Sequence, residues 1–450
     1  MGKPLNIKRG LKLNLSGAAM RPRSSSDIQK IEPDILALIP DDFSGLIPKM
    51  DIKEGEHVDC GDTLWHDKEF VDIRVVSPVS GTIKSITRGE RRKVLAVEIS
   101  PDKGSTSSSP ASVPPSDADS LKKALMAEGL WVQMRQLPFD IVPSPFSVPR
   151  DIFVTAWDAA PLAPDLSLAV KDKSDVLEKG VDALKLLTDG HIYIGRNSDS
   201  QIPDISGAEM IDISGGFPAS LPSVLASNIK PVNKGEVIWM LDILTLYRIG
   251  QIASGIGVDW TVPVAITGSE VTNPHYIVAP IGTSIKSLVS GNLNNDINKR
   301  IISGNVLTGH NVGFSGYLRY PYTHVTVIPE GDDVDEFMGW ASLSPAKISE
   351  SRSFPGYFLK KRLFKPDARI NGGRRAMILS GLYSRYIPMD IMPEYLIKAI
   401  LARDIDRMEA LGIYEVTPAD FAAAEYADAS KLELQKIVRD GLDYMRHETV

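Results

Sequence analysis

Cysteine is nearly absent from this sequence, and its scarcity excludes several classes of protein. The chain has 450 residues and a single cysteine, Cys60. One cysteine cannot form an internal disulfide, and it cannot supply the set of thiolates that holds an iron–sulfur cluster. We therefore expect a protein of a reducing compartment that carries no cysteine-ligated cluster of its own.

Long apolar runs are also missing. The most apolar stretch, Val237 to Val258, contains Asp242, Arg248 and Gln251, which are costly at the centre of a bilayer. This stretch is predicted to be a buried helix of a soluble domain. The N-terminus has no apolar segment of the kind that directs secretion. A function at a membrane would therefore need other chains to supply the spanning segments.

Charge of one sign is not in strong excess. The formal net charge is -7, with 24% charged and 43% hydrophobic residues, which is ordinary for a soluble globular protein. This net charge gives no electrostatic reason to expect binding to nucleic acid or to anionic lipid. The length predicts three or four domains, because single hydrophobic cores stop growing well below this size.

The common catalytic and metal-binding motifs are absent as well. There is no Walker loop, nucleophile elbow or HExxH helix, and no catalytic or metal-binding residue is predicted. His310 follows Gly309 and is open to two interpretations, a ligand contact or an ordinary packing histidine. No zinc-type spacing with cysteine or carboxylate partners is found among the histidines, which are His57, His66, His191, His275, His310, His324 and His447.

Short strands and tight turns characterise the first hundred residues. In the stretch 47–65, hydrophobic residues alternate with turn residues, and Gly55 and Gly61 supply positive φ at low steric cost. A second run, Ser77-Pro78-Val79-Ser80-Gly81, follows. The two runs resemble the two halves of a lipoyl- or biotinyl-type barrel-sandwich domain. The Ser- and Pro-rich stretch 101–119 is then predicted to be a solvated linker.

After the linker, helices alternate with buried strands. The runs 151–156 and 190–195 are predicted to be buried parallel strands, and 175–189 a helix between them. This alternation indicates a doubly wound, Rossmann-like α/β domain. Residues 260–330 are strand-rich, and Thr283 or Ser284 is a plausible cap for a short helix through Val289, as in a β-grasp unit. Helical patterning returns from residue 374, with starts near Pro393 and Thr417.

The predicted fold class is therefore an α/β multidomain protein. It comprises a barrel-sandwich (lipoyl-like) β domain, a Rossmann-like α/β domain, a β-grasp (SLBB) domain and a helical C-terminal domain. The predicted boundaries are an N-terminal segment 1–32, barrel-sandwich 33–100, linker 101–119, α/β domain 120–255, β-grasp domain 256–330, connector 331–373 and helical domain 374–450.

Five stretches, in the same order along the chain, resemble the A subunit of the sodium-translocating NADH:quinone oxidoreductase. They are Gly129-Leu130-Trp131 with Leu137-Pro138-Phe139, the run 152–156 with Pro161-Leu162-Ala163-Pro164-Asp165, the run 300–309 (RIISGNVLTG), the run 387–393 (IPMDIMP) and Met408-Glu409-Ala410-Leu411-Gly412. The third stretch also resembles the ligand-binding β-grasp domain of the C subunit of the Rnf complex and of the flavoprotein of respiratory complex I. With the barrel-sandwich region, the resemblance covers nearly the whole chain.

The resemblance implies a peripheral subunit on the cytoplasmic face of the bacterial inner membrane. It implies a six-subunit complex that oxidises NADH, reduces quinone and exports sodium, in which the membrane subunits are the main partners. Flavins and the iron–sulfur centre are expected in those partner subunits, with no cofactor tightly bound in this chain and quinone as its substrate. Two alternatives stay open: a flavin-nucleotide-binding subunit of the Rnf C type, and a lipoyl or biotinyl carrier modified at Lys68.

The sequence departs from its flavin-binding relatives where they carry a glycine-rich turn, because here only Gly129 remains. Such glycines let backbone N–H groups close on phosphate, so phosphate binding is not expected. Trp131 and Phe139 are instead candidates to offer a flat apolar surface to a quinone ring, and Arg135 to donate to its carbonyl oxygen. The alternative is that these side chains only fill the core.

A second candidate ligand loop contains Gly215 and Gly216. Two adjacent glycines between a strand and a possible helix are able to form an anion-binding nest. A plain backbone turn is the alternative.

Overall fold

The computed structural model of the chain describes residues 4–23, 27–294, 297–332 and 344–449. The N-terminal residues of the chain do not form a separate domain. Strand β1 (Leu5–Asn6) pairs in parallel with a strand of the α/β domain, and β2 (Gln29–Lys30) pairs in parallel with a strand of the third domain. The predicted N-terminal segment is thus an integral part of two sheets.

Two packed antiparallel sheets form the barrel-sandwich. Their strand orders are β3-β9-β8-β5 and β4-β6-β7, and the alternating burial along β8 shows one face turned to the core. Leu64, Trp65 and Val97 lie at the centre of that core. The strands are β3 (Leu36–Leu38), β4 (Pro48–Met50), β5 (His57–Val58), β6 (Thr63–Asp67), β7 (Arg74–Val76), β8 (Gly81–Arg88) and β9 (Val94–Pro101).

A largely parallel sheet with the order β1-β13-β12-β11-β14-β10 forms the α/β domain, and only β10 runs antiparallel. Helix α3 buries Leu177, Val181 and Leu184, one stripe of an amphipathic helix. The elements are α1 (Ala118–Ala127), β10 (Arg135–Leu137), β11 (Ile152–Thr155), α2 (Ser167–Val170), α3 (Ser174–Lys185), β12 (Ile192–Asn197), β13 (Glu209–Ser214), α4 (Pro222–Ile229), β14 (Ile238–Asp242) and α5 (Ile243–Ala253).

The third domain has the strand order β18-β17-β19-β15-β16-β2. Ser284 caps its helix by accepting from the backbone N–H of Ser287, which confirms that predicted cap. The elements are β15 (Thr261–Thr267), β16 (His275–Pro280), α6 (Ile285–Val289), β17 (Lys299–Ser303), β18 (His310–Asn311) and β19 (His324–Pro329).

Helices complete the described chain, and they pack on the α/β domain to share one core with it. Thr417 and Asp420 form the capping box of a 3₁₀ turn that begins at Pro418, so the predicted cap is confirmed. The α-helices are α7 (Pro393–Ala402), α8 (Ile405–Ala410), α9 (Ala422–Ala427) and α10 (Leu434–Thr449). Across the described residues, no helix is both long and apolar enough to cross a membrane.

Two sequence predictions need correction. Residues 237–258 are not one buried helix, because β14 precedes α5 and Asp242 caps the helix between them. The stretch 101–119 is largely exposed, but it is not only a solvated linker. The hydroxyl of Ser109 is buried and accepts from the backbone N–H of Val258 at 3.0 Å, and Asp117 caps α1. A serine-rich stretch can be held in place by such hydrogen bonds without any apolar periodicity.

Candidate functional site

A cleft of the described structure opens at the carboxyl ends of β11 and β14. From β11 the chain continues to β12 and β13 on one side, and it returns to β14 on the other. Such a reversal of strand order leaves a crevice where ligands bind in open α/β sheets. The cleft has a volume of about 360 Å³, and residues of the third domain and of the C-terminal region close its other sides.

The wall from the α/β domain is built on the residues that follow β11. The hydroxyl of Thr155 donates to the carbonyl oxygen of Ser220 at 2.7 Å, which ties this strand end to the segment before α4. The carboxylate of Asp158 accepts from the backbone N–H of Ala160 at 2.8 Å. Burial raises the pKa of the Asp158 carboxyl, so its neutral form is favoured more than that of an exposed aspartate.

The opposite wall comes from the third domain. Asn305 holds a tight turn by accepting from the backbone N–H groups of Leu307 and Thr308, and the hydroxyl of Tyr322 donates to the carbonyl oxygen of Thr308. His324, at the start of β19, also lines the cleft. It is 2% exposed, and burial lowers its pKa to about 4. Its imidazole is therefore neutral near pH 7.

Arg135 stands where three domains meet at the cleft. One of its terminal nitrogens, Nη2, donates to the carbonyl oxygen of Asp42, in the barrel-sandwich, at 2.6 Å. The Asp42 carboxylate pairs with Arg319 and accepts from the backbone N–H of Tyr320. Burial raises the Asp42 pKa to about 6, although Arg319 opposes the rise. The guanidinium of Arg135 is thus held at the junction while the side chain lines the cleft.

Three residues that line this cleft each carry a buried nitrogen without a partner. Within the part of the chain that the structure describes, Arg135 Nη1, Trp157 Nε1 and His324 Nε2 are buried and have no hydrogen-bond partner, and all three residues line the cleft. Buried polar atoms without partners are uncommon, and each one calls for an explanation. Arginine and indole N–H groups donate only, and a neutral imidazole nitrogen that bears the proton also donates. The set suits a ligand that offers acceptor oxygens.

The three quinone-contact candidates from the sequence do not lie together. Arg135 lines the cleft, but Trp131 and Phe139 do not. Trp131 is 0% exposed, its indole N–H donates to the carbonyl oxygen of Pro143, and its ring packs edge-on against Trp239. Phe139 is buried in the core that the α/β domain shares with the C-terminal helices. In this arrangement neither ring offers a face to a ligand, and both side chains fill the core.

Backbone packing fills the space beside Gly215 and Gly216. A Cβ on Gly216 would stand 2.5 Å from the carbonyl oxygen of Leu11, and one on Gly215 would stand 3.0 Å from that of Ile7. Because these glycines have no side chain, the N-terminal segment is able to pack directly against their backbone. This geometry favours the backbone turn, and anion binding at the loop stays an untested prediction.

Lys68 and His310 also occupy defined positions. Lys68 is exposed and directly follows β6, where its backbone N–H donates to the carbonyl oxygen of Ile47. It is the first residue of the loop before β7 and not the tip of a tight turn. His310 is exposed on β18, and its ring centroid lies 6.0 Å from that of Tyr322.

Comparison with known proteins identifies the family. Models of three domains match the chain: the NqrA N-terminal barrel-sandwich hybrid domain at 5–102, the NqrA second alpha/beta domain at 116–255 and the NQRA C-terminal domain at 263–313. A relative from Serratia proteamaculans (strain 568) is 33% identical over 99% of this chain and 100% of its own length. One from Rhodopirellula baltica is 31% identical over 98% of each chain. Both are named as the A subunit of the Na(+)-translocating NADH-quinone reductase. The chain belongs to this family.

Family membership confirms the resemblance noted in the sequence, and the three matched domains agree with an α/β multidomain fold. Among solved structures, an NAD+-reducing [NiFe]-hydrogenase in the air-oxidized state aligns with 12% identity and a TM-score of 0.37. That alignment covers 74% of this chain and 62% of the hydrogenase chain. The likeness is too weak to support a conclusion about this member of the A-subunit family.

Sequence reasoning missed Trp157 and His324 as cleft residues of this NqrA-family chain. A usable signal existed for Trp157, because it follows a predicted buried strand and ligands bind at the carboxyl ends of such strands. No comparable signal existed for His324. It reaches the cleft only because the third domain packs against the α/β domain, which no local pattern reveals.

Proposed function

We propose that this chain is the A subunit of a sodium-translocating NADH:quinone reductase, a complex-level oxidoreductase. In this proposal it is a peripheral subunit at the cytoplasmic face of the bacterial inner membrane, and its partners are the other subunits of the six-subunit complex, especially the membrane subunits. The support is the family membership, which extends over 99% of the chain. A pull-down from solubilised membranes of the native source, with partner identification by mass, tests this assignment.

The proposal includes the finer classes of two domains. The α/β domain is Rossmann-like, and support comes from its parallel order β13-β12-β11-β14 with the reversal at the cleft. The third domain is a β-grasp unit. There the support is a β15–β16 hairpin followed by α6, with β19 returning parallel to β15.

The cleft between these two domains is the proposed quinone contact of the protein. A quinone ring carries carbonyl oxygens that accept hydrogen bonds, and it has no donor of its own. The unpartnered nitrogens of Arg135, Trp157 and His324 are the single observation on which this proposal rests. Apolar side chains such as Leu166, Phe217 and Met240 provide the mostly apolar lining that small-molecule sites share.

A tightly bound flavin nucleotide is the less favoured occupant. Asp140 and Asp242 line the cleft together with Arg135, and carboxylates there repel the phosphates of a nucleotide. The turn that would need glycines for phosphate is filled by Leu130, Trp131 and Met134. The proposal therefore assigns no tightly bound cofactor to this chain and leaves the flavins and the iron–sulfur centre to partner subunits.

The substitution Trp157→Phe in the assembled complex tests the quinone contact. It removes the indole N–H and keeps an aromatic ring. Because that N–H has no protein partner among the described residues, its loss should not weaken the fold through a broken hydrogen bond. Losing one hydrogen bond to quinone, about 1 kcal/mol, should raise the apparent KM for a short-chain quinone roughly fivefold.

Trp239→Phe is the matched control, since Trp239 also has a buried, unpartnered Nε1 but does not line the cleft. Its quinone KM should equal that of the wild type. NADH oxidation with an artificial acceptor should be unchanged in both variants. An unchanged quinone KM in both Trp157→Phe and Arg135→Met would refute the quinone contact, while the assignment to the complex would stand on the pull-down.

A further inference from the structure

The positive charge of this acidic protein is concentrated in two segments. Residues 352–385 contain nine lysines and arginines and one carboxylate, Asp367. Residues 4–23 contain five lysines and arginines and no carboxylate. The net charge of -7 for the whole chain therefore conceals a strong local excess of cations, and the electrostatics of binding depend on the local charge.

Backbone hydrogen bonds join these two segments in the fold. The N–H of Phe364 donates to the carbonyl oxygen of Asn14, and the N–H of Ser16 donates back to Phe364, both at 2.9 Å. The N–H of Gly10 donates to the carbonyl oxygen of Arg385 at 3.1 Å. Side chains that lie hundreds of residues apart in sequence are thereby neighbours in the fold.

Many of the cations in these two segments are exposed and unpaired. Lys360 pairs with Glu350 at 3.2 Å. Among the described residues, no carboxylate forms an ion pair with seven further exposed cations of these segments, which we call the basic surface: Lys8, Arg9, Lys12, Lys361, Arg362, Lys365 and Arg385. A cluster of unpaired like charges raises the energy of the isolated chain, and an anionic partner would relieve that repulsion.

Large apolar side chains project beside the basic surface. Phe358 is 71% exposed and Leu363 is 65% exposed, and they lie on either side of Lys361 and Arg362 in the sequence. Buried Phe364 anchors this stretch to the N-terminal residues. Aromatic and aliphatic side chains interleaved with cations are typical of surfaces that rest at the headgroup level of a membrane.

We propose that the basic surface, with Phe358 and Leu363, contacts the headgroups of anionic phospholipids. Charge complementarity selects this occupant. The cytoplasmic leaflet is negatively charged and attracts basic surfaces, whereas the cytoplasmic loops of membrane proteins are themselves enriched in Lys and Arg. The cations would therefore be attracted to the lipid and repelled by such loops. This contact is independent of the quinone proposal.

Vesicle co-sedimentation of the full chain tests the proposal. The wild type should bind vesicles of phosphatidylglycerol and phosphatidylcholine in equal parts, should not bind pure phosphatidylcholine, and should dissociate as salt rises. The triple substitution Lys361→Ala, Arg362→Ala and Lys365→Ala should lower the partition coefficient roughly a hundredfold, at about fivefold per cation. Phe358→Ser with Leu363→Ser should remove the fraction that stays bound at high salt.

The matched control replaces Lys53, Lys84 and Lys179 with alanine. These lysines are exposed and have no ion pair among the described residues, and they lie outside the basic surface. The control should bind like the wild type, and melting curves should show that all variants are folded. Absence of wild-type binding to anionic vesicles, or equal loss in the control, would overturn the proposal. If the wild type does not bind vesicles, and the triple variant at Lys361, Arg362 and Lys365 fails to join the complex, the surface binds a protein instead.

Discussion

Replacing His324 with leucine should change the acid stability of the protein in a predictable way. His324 is 2% exposed, and its burial lowers the pKa from the ordinary value of 6.5 to about 4. Since the folded-state pKa is the lower one, the unfolded chain binds more protons between these two values. The histidine therefore favours the folded state fully above about pH 6.5, and this contribution is lost as the pH falls towards 4.

The magnitude follows from the pKa difference. A pKa difference of about 2.5, at about 1.4 kcal/mol for each pKa unit, gives a total loss of about 3.5 kcal/mol for this one group, of which about 3 kcal/mol is lost by pH 4. His324→Leu removes the titrating group. As the pH falls from roughly 7 to 4, the free energy of unfolding of the variant should therefore rise by about that amount relative to that of the wild type. Denaturant unfolding of both proteins across this pH range measures the difference, because all other titrating groups are shared.

His447→Leu is the control, since His447 is exposed on α10. Its unfolding, measured in the same way, shows how much of the effect arises from replacing any histidine with leucine. A flat difference for His324→Leu, or a His324 resonance that titrates near pH 6.5 in NMR, would refute the reasoning. The imidazole would then not be the buried, neutral group that the cleft requires.

Two further substitutions separate packing from ligand binding. Gly216→Val should destabilise the protein and make the first residues sensitive to protease, because a Cβ there would stand 2.5 Å from the carbonyl oxygen of Leu11. A variant as stable and as protease-resistant as the wild type would contradict this packing. Trp131→Ala should cost about 3–5 kcal/mol of stability as a large core truncation, measured by denaturant unfolding with exposed Phe146→Ala as the control. Little change in stability would show that Trp131 is not core.

Local signals account for what the sequence predicted correctly. The strand at 152–155 is a continuous apolar run ending in small and polar residues, and Ser284 and Thr417 are capping residues placed before helical turns. The prediction of one buried helix over residues 237–258 failed for a physical reason. A fully buried strand and a fully buried helix both read as apolar runs, so periodicity does not separate them. Asp242, the cap between the two elements, was the usable boundary.

The candidate site was only partly predictable, because its walls come from distant parts of the chain. Arg135 was identified from its position in the stretch where flavin-binding relatives carry a glycine-rich turn, but its neighbour Asp42 belongs to another domain. Trp131 and Phe139 were aromatic residues in the right stretch of sequence. Sequence alone did not reveal that their rings turn away from the cleft, since orientation depends on which partners pack around them.

The contacts of Arg135 also give the barrel-sandwich domain a structural role that does not depend on carrier chemistry. Its Nη2 donates to the carbonyl oxygen of Asp42, while the Asp42 carboxylate pairs with Arg319 and accepts from the backbone of Tyr320. Asp42 thus fixes one end of the guanidinium and also fixes the segment of the third domain that lines the cleft. A donor contributes most to binding when its own position is held by packing and further hydrogen bonds. The barrel-sandwich supplies that support at the junction, and this role requires no modified lysine.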